Sequence, residues 1–313
     1  MKFGVGLPTG MEGLINPIPF FEPRQFLEAA KLAEQLGYDS VWGNDHYAPQ
    51  NYVRREYAAV PNFYEVLSVL AGVAAVTERV EIGTSVLVLP MRDIVTLARQ
   101  TATIDQLSAG RLLLGVGIGA YPEEFHAARP DLAGGRRGEM LDEGLELLNR
   151  LLTEPTVTHH GKYYQVESLD MAPKGCADPV RVLVGGHQLR GIDRAIRHGS
   201  GWIPLIGPKD LSGVVRTPVI SSLVELRGKI TQLMALWQEN RREGQPDILI
   251  PFPDAINLDG TDLTTNAAQY RDTLSELSAM GVTWVFVPGL GNNPDNSAVV
   301  HYLETVGRQL ISA

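Results

Sequence analysis

Short apolar runs alternate with helix-period segments from one end of this chain to the other, and that alternation limits the folds open to it. The runs are Lys2–Leu7, Ser40–Asn44, Val80–Val86, Leu112–Val116, Val180–Val184, Gly201–Ile206, Ile248–Pro251 and Val282–Val287. Between and after them lie segments with apolar residues three and four apart. These are Pro23–Gly37, Asn62–Thr77, the stretch marked by Ile94, Leu97, Thr101 and Ile104, then Arg137–Thr153, Leu189–His198, Leu223–Glu243, Asn266–Met280 and Ser297–Ile311. Strands separated by helices pair in parallel, since a tight turn can join only antiparallel neighbours. Eight such units in strict order predict the α/β class and a single (β/α)8 TIM barrel spanning residues 1–313. An open, doubly wound sheet with an appended domain would need a break in composition, and none occurs.

Two features decorate the repeat. Val157–Val166, with a turn at Gly161, predicts a small hairpin inserted between helix and strand. The loops Pro8–Glu22, Asp45–Pro61, Gly117–Arg136 and Gly207–Pro218 are long, and each follows a strand. Long loops at strand C-terminal ends share one barrel face and are expected to wall a pocket there. Tyr47, Tyr52, Tyr57, Phe63 and Tyr64 suit either an aromatic lining or ordinary loop anchoring.

The formal charge of −9 argues against a nucleic-acid partner and against adhesion to membranes through basic residues. A small anion held by backbone N–H groups stays compatible with it. A single cysteine, Cys176, leaves no disulfide framework within the chain. Met1 leads directly into a strand, and no apolar run approaches a membrane span, so a cytoplasmic location is expected.

Candidate chemistry falls at the strand ends. Asp45-His46 follows the second strand. There a histidine can act as acid or base near neutral pH, with Asp45 orienting it or accepting from a ligand, and Asn44 is in reach. Gly115, Gly117 and Ala120 match a loose G-x-G-x-x-A pattern, but Tyr121-Pro122 stands where a dinucleotide-binding helix should already run. Gly117 and Gly119 fit better as points where a flat ring or a phosphate nears the backbone, or as glycines of barrel curvature. Gly185-Gly186-His187 precedes a helix and would present N–H groups to a phosphate. His159 and His160 are strand neighbours and point to opposite faces, so they cannot chelate one ion together. Glu123-Glu124 reads more naturally as a helix-start charge pair than as a pocket carboxylate, and Arg136-Arg137 as a solvated turn.

These residues, in this order, resemble the luciferase-like flavin- and deazaflavin-dependent family over nearly the whole chain. The segments that carry the resemblance are Gly37-Tyr38-Asp39-Ser40-Val41-Trp42 with Asp45-His46, Ile82-Gly83-Thr84-Ser85-Val86, Ser108-Ala109-Gly110-Arg111 leading to Gly115-Val116-Gly117, and Gly185-Gly186-His187 with Gly199-Ser200-Gly201-Trp202-Ile203-Pro204. The resemblance implies a redox ring at the strand C-terminal ends, backed by Thr84, Ser85 and Val86, with a cis peptide at Ser85-Val86. It implies hydride transfer between a deazaflavin (F420) and a small, largely apolar substrate, with His46 moving the proton. The alternative it leaves is an FMN-dependent monooxygenase using oxygen. It also implies a homodimer. Ile118 stands where luciferases carry a phosphate-binding arginine. Ala120 stands where the deazaflavin sugar-phosphate dehydrogenases carry an acid.

Overall fold

The computed structural model describes residues 1–10, 22–56, 62–176, 179–186, 188–215, 217–253, 261–287 and 296–311. Eight parallel strands close on themselves: β1 (Lys2–Leu7), β2 (Ser40–Gly43), β3 (Glu81–Thr84), β4 (Leu112–Gly117), β5 (Arg181–Gly185), β6 (Gly201–Ile203), β7 (Asp247–Pro251) and β8 (Trp284–Val287). Each pairs with its neighbours in chain order, and Phe3 opposite Val285 joins the last strand to the first. The expected (β/α)8 barrel is therefore what the chain forms.

The runs are apolar throughout because both strand faces are covered. Inward-pointing Trp42, Leu113, Leu183, Ile203, Leu249 and Trp284 fill the barrel interior. The Trp42 and Trp284 rings meet edge to face, centroids 6.0 Å apart. Burial of a large apolar side chain contributes roughly 1.5–3 kcal/mol, so this plug makes the interior a core and not a channel. Outward residues of the same strands pack on the helices.

The differences from the sequence reading have local causes. The third run is not one strand: β3 stops at Thr84, the Ser85–Val86 peptide is cis, and Leu87–Val88 resumes pairing beside the end of β4. The helix expected from Asn62 starts at Val66, because the Glu65 carboxylate caps it, accepting from the N–H groups of Leu67 and Ser68. The helix expected to reach Glu243 ends at Glu239, ahead of left-handed Arg241 and Gly244. Three of the long loops contain short helices, Asn51–Glu56, Pro122–Ala128 and Leu211–Val215. Pro122 opens the second of these at the position where a missing N–H costs nothing.

The inserted hairpin pairs Thr156–His160 with Gln165–Asp170. Its turn is held by two side chains of the helix Arg137–Thr153, Glu139, which accepts from Lys162 Nζ and the Tyr163 hydroxyl, and Glu143. The Glu143 carboxylate accepts from the N–H groups of Lys162, Tyr163 and Tyr164 at 2.8–3.1 Å and sits 3.2 Å from His159 Nε2. Burial acts to raise the Glu143 pKa, and these donors outweigh it and hold it below the usual range.

The Ser108–Arg111 motif lies at the opposite barrel end from the strand C-termini. Left-handed Ala109 and Gly110 stop the helix Ile94–Leu107. Arg111 then donates to the carbonyls of Ala74, Thr77, Val80 and Ser108 and to Thr77 Oγ1, at 2.6–3.2 Å. Nearby, the Glu34 carboxylate accepts from the N–H groups of Glu78, Arg79 and Val80. Among the described residues no helix is long and apolar enough to cross a membrane.

Candidate active site

Among the described residues, the loop leaving β2 carries a dense polar cluster at the strand C-terminal face. Asn44 is the clasp at its root. Its carboxamide donates to Gly10 O at 2.8 Å and accepts from Gly10 N at 2.9 Å, while Thr9 Oγ1 donates to its backbone carbonyl at 2.6 Å. Asn44 thus ties the β1 loop to the β2 loop with its own polar atoms.

Asp45 and His46, expected to act on each other, face different partners. Asp45 is buried and accepts from Val88 N at 2.9 Å and Arg92 Nη2 at 2.8 Å. Arg92 reaches Glu65 Oε1 at 2.9 Å as well, so one guanidinium links the β2 loop, the stretch after the cis step and a helix cap. The expectation that Asp45 orients His46 is corrected: both Asp45 oxygens are held by donors on the far side. Burial acts to lower the Arg92 pKa, but the charge of Asp45 and its neighbours raises it. Burial, aided by the Asp45 charge, pushes the Tyr47 phenol up to about 12.

The partner of His46 is Glu124, from the short helix Pro122–Ala128. Glu124 is buried, and its Oε1 lies 2.8 Å from His46 Nδ1. Its other oxygen accepts from Tyr47 N at 3.2 Å. Gln50, wholly buried, places Nε2 at 2.6 Å from Glu124 Oε1 and 2.8 Å from His46 Nδ1. Tyr121 and Phe63 stand against the imidazole, centroids 5.8 and 6.2 Å away. Gly10 packs against the imidazole: a Cβ there would lie 2.9 Å from His46 Cδ2, so only glycine fits without a shift. A carboxylate at Nδ1 favours a proton on that nitrogen and makes Nε2 the more basic atom, an arrangement suited to accepting or returning a proton.

Glu123 shows why sequence did not separate the pair. It lies toward solvent, 3.4 Å from Asn51 N, while Glu124 turns inward. One residue of helical rotation decides this, and the contact spans 78 positions. Gln50 gave no signal, being one polar residue in a loop.

The other expected site residues form the barrel mouth. Thr84 is buried and donates to Gly115 O at 2.7 Å. Ser85 N donates to Gly43 O at 2.8 Å, which sets the cis step beside the root of the His46 loop. Val86 is half-buried over the interior plug, together with Phe286. Gly117 and Gly185 make room for Val86 itself: a Cβ on either would approach its methyl groups to 2.8 and 3.2 Å. The close approach expected at Gly117 is thus made first by the protein's own side chain. Val86 and Phe286 thus form an apolar floor over the plug. Gly119 is left-handed, and its carbonyl accepts from Arg137 Nη1 at 2.8 Å. Arg137 is no solvated turn residue. It is partly buried, its guanidinium lies 4.9 Å from the Phe125 ring centre, and burial lowers its pKa. Gly186, with φ +118°, turns the chain from β5 into the helix Leu189–His198, whose Gly191 packs on the Gly186 carbonyl. His187 lies outside the described residues, as do Tyr57 and the side chain of Tyr52.

Comparison with known proteins places this arrangement in context. Residues 1–218 match the luciferase-like monooxygenase family. An uncharacterized Mycobacterium tuberculosis protein is 30% identical over 247 residues, covering 75% of this chain and 79% of that protein. The F420-dependent glucose-6-phosphate dehydrogenase of Intrasporangium calvum is 34% identical over 187 residues, covering 58% of this chain and 54% of that one. Among solved structures, the monooxygenase RslO1 from Streptomyces bottropensis superposes with a TM-score of 0.77 at 19% identity, over 100% of this chain and 99% of that one.

Proposed function

The chain belongs to the luciferase-like monooxygenase family, a family of flavin- and deazaflavin-dependent oxidoreductases, and we infer that its barrel mouth binds F420 and transfers hydride between it and a small organic substrate. The observation that carries this reading is His46 held by buried Glu124 beside an apolar floor. Hydride transfer to or from an alcohol-type or reducible carbon needs a partner proton, and this pair is built to handle one.

In this reading Thr84, Ser85 and Val86 back the ring, and Gly117 and Gly119 line its edge. The turn of Gly185, Gly186 and His187, ahead of a helix N-terminus, takes the phosphate; the Gly186 N–H is not among its donors, being bonded to the Ile203 carbonyl at 3.0 Å. When bound, the deazaflavin supplies a two-electron carbon centre. His46 accepts the substrate proton at Nε2 in one direction and returns it in the other. Glu124 offsets the positive charge that His46 acquires. Asp45 acts indirectly, by fixing the loop through Arg92 and Val88. The substrate is small and largely apolar, met by Phe63 and Tyr121 beside His46. The protein works in the cytoplasm as a homodimer and engages neither nucleic acid nor membrane.

Arg137 supports a second reading, an FMN-dependent monooxygenase using reduced flavin and oxygen. A partly buried guanidinium at the Gly119 turn suits the dianionic phosphate of FMN better than a singly charged diester. One experiment separates the two. The purified protein is titrated with F420 and with FMN while cofactor fluorescence is followed. Saturable change with F420 alone supports hydride transfer. Saturation with FMN alone, with oxygen uptake on its reduction, overturns it.

A further inference from the structure

His46 Nδ1, Glu124 Oε1 and Gln50 Nε2 form a closed triangle with edges of 2.8, 2.8 and 2.6 Å. Glu124 and Gln50 are buried, Gln50 completely, and the His46 side chain keeps 10% of its surface exposed. Gln50 Oε1 is buried and meets no hydrogen-bond partner among the described residues. The amide could satisfy that oxygen only by turning over. It would then press Oε1 against a carboxylate oxygen at 2.6 Å, acceptor on acceptor. An ionised Glu124 therefore dictates an inward NH2 and an orphaned carbonyl.

The inward NH2 changes what His46 can do. With Glu124 alone, the neutral ring would hold its proton at Nδ1, where the carboxylate accepts it, and Nε2 would be bare. The amide N–H at 2.8 Å favours the opposite state, a bare Nδ1 that accepts from Gln50 and a proton on Nε2. Each neutral tautomer satisfies two edges of the triangle and leaves one unsatisfied. We propose that Gln50 is a positioning residue that brings the two neutral tautomers of His46 into balance. The neutral ring then presents Nε2 in two forms, bare to accept the substrate proton and protonated to donate a hydrogen bond to the substrate oxygen. This rests on the role of His46 given above, in which the proton taken up at Nε2 makes the ring cationic beside Glu124.

The test uses the cofactor-free full chain, so it is independent of which cofactor binds. Protein labelled with 15N-histidine is examined by NMR at a pH where the ring is neutral, and the His46 signals are assigned by their loss in His46→Ala. Wild-type Nδ1 and Nε2 should both resonate between the values of a protonated and a bare ring nitrogen. Gln50→Met, similar in volume, should move them to the pure Nδ1–H pattern. Glu124→Gln should move them the other way, toward Nε2–H. A wild-type ring held wholly as the Nδ1–H tautomer overturns the proposal, as does a folded Gln50→Met protein with unchanged signals. If Gln50→Met fails to fold, as judged by circular dichroism, the wild-type and Glu124→Gln spectra decide: opposite displacement supports the balance, and none refutes it. Failure of F420 to bind alongside averaged wild-type signals would remove the cofactor reading and leave this inference standing.

Discussion

The two ends of the barrel each carry a buried polar hub, and the hubs are built from opposite materials. At the N-terminal face Arg111 spends its guanidinium on backbone carbonyls and a threonine hydroxyl, binding helix ends to strand starts. At the C-terminal face Arg92 binds two carboxylates, and the neighbouring triangle contains a third carboxylate, an imidazole and a carboxamide with an orphaned oxygen. The first hub is saturated by fixed partners that do not titrate. The second is made of groups that can exchange protons, and it leaves one polar atom unsatisfied. The first is architecture, and the second lies on the face of a barrel where chemistry is expected.

The sharpest way to break this contrast is at His46. His46→Ala should lower turnover with F420 by about 10²–10⁴-fold, the usual worth of a positioned acid or base, with little change in melting temperature. Steady-state assays and calorimetry check both halves. Arg111→Met should do the reverse. Loss of its donors leaves buried acceptors unpaired, and about 2–4 kcal/mol of stability should vanish in a urea melt, while activity per folded molecule is kept. If Arg111→Met removed activity before stability, the division between the two ends would fail.

Gly117→Ala sharpens the upper end. Its new methyl group would push on Val86, so cofactor affinity should fall about tenfold through a displaced floor, a loss near 1.4 kcal/mol, with the fold retained. Affinity equal to wild type would show that Val86 does not touch the ring.

The lower end has a gentler test in pH. Burial acts to raise the Glu34 pKa, but the N–H groups of Val80, Arg79 and Glu78 outweigh it and lower it. Its folded pKa then lies below its unfolded one. The associated stability is complete above the ordinary glutamate pKa and is lost as pH falls through the depressed value. Glu34→Gln should flatten that acid-side decline in denaturant midpoint. The smallest effect is at Glu139, where hydrogen bonds from Arg136, Lys162 and Tyr163 bring the pKa to about 2. Lys162→Ala should move its NMR midpoint upward and leave stability nearly unchanged, since the pair is exposed.

The barrel was legible because each strand is buried on both faces and each helix on one, and these demands write local patterns. Asp45-His46 was legible as a place, since it falls where a strand must end. Its wiring was not. Asp45 bonds Arg92, 47 positions on, and His46 bonds Glu124, 78 positions on. Nothing within a helical turn of either residue encodes such distances. Gly117 was legible as a point of close approach but not its occupant, and Gly185, expected to offer its N–H to a phosphate, makes room for the same Val86 side chain, because an absent Cβ does not say what fills the space. Glu124 could be seen only as half of an acidic pair, since helix phase in a seven-residue helix is set by tertiary packing.

The ribbon inserted before β5 is fastened at its tip by two carboxylates of one barrel helix: Glu143 gathers the amides of the turn, and Glu139 accepts from Lys162 Nζ and the Tyr163 hydroxyl. With Val157 and Val166 buried in the outer core, the ribbon is seated as well as tied, so its exposed positions are the ones that can be exchanged while strand order, interior plug and proton-handling triangle stay as they are.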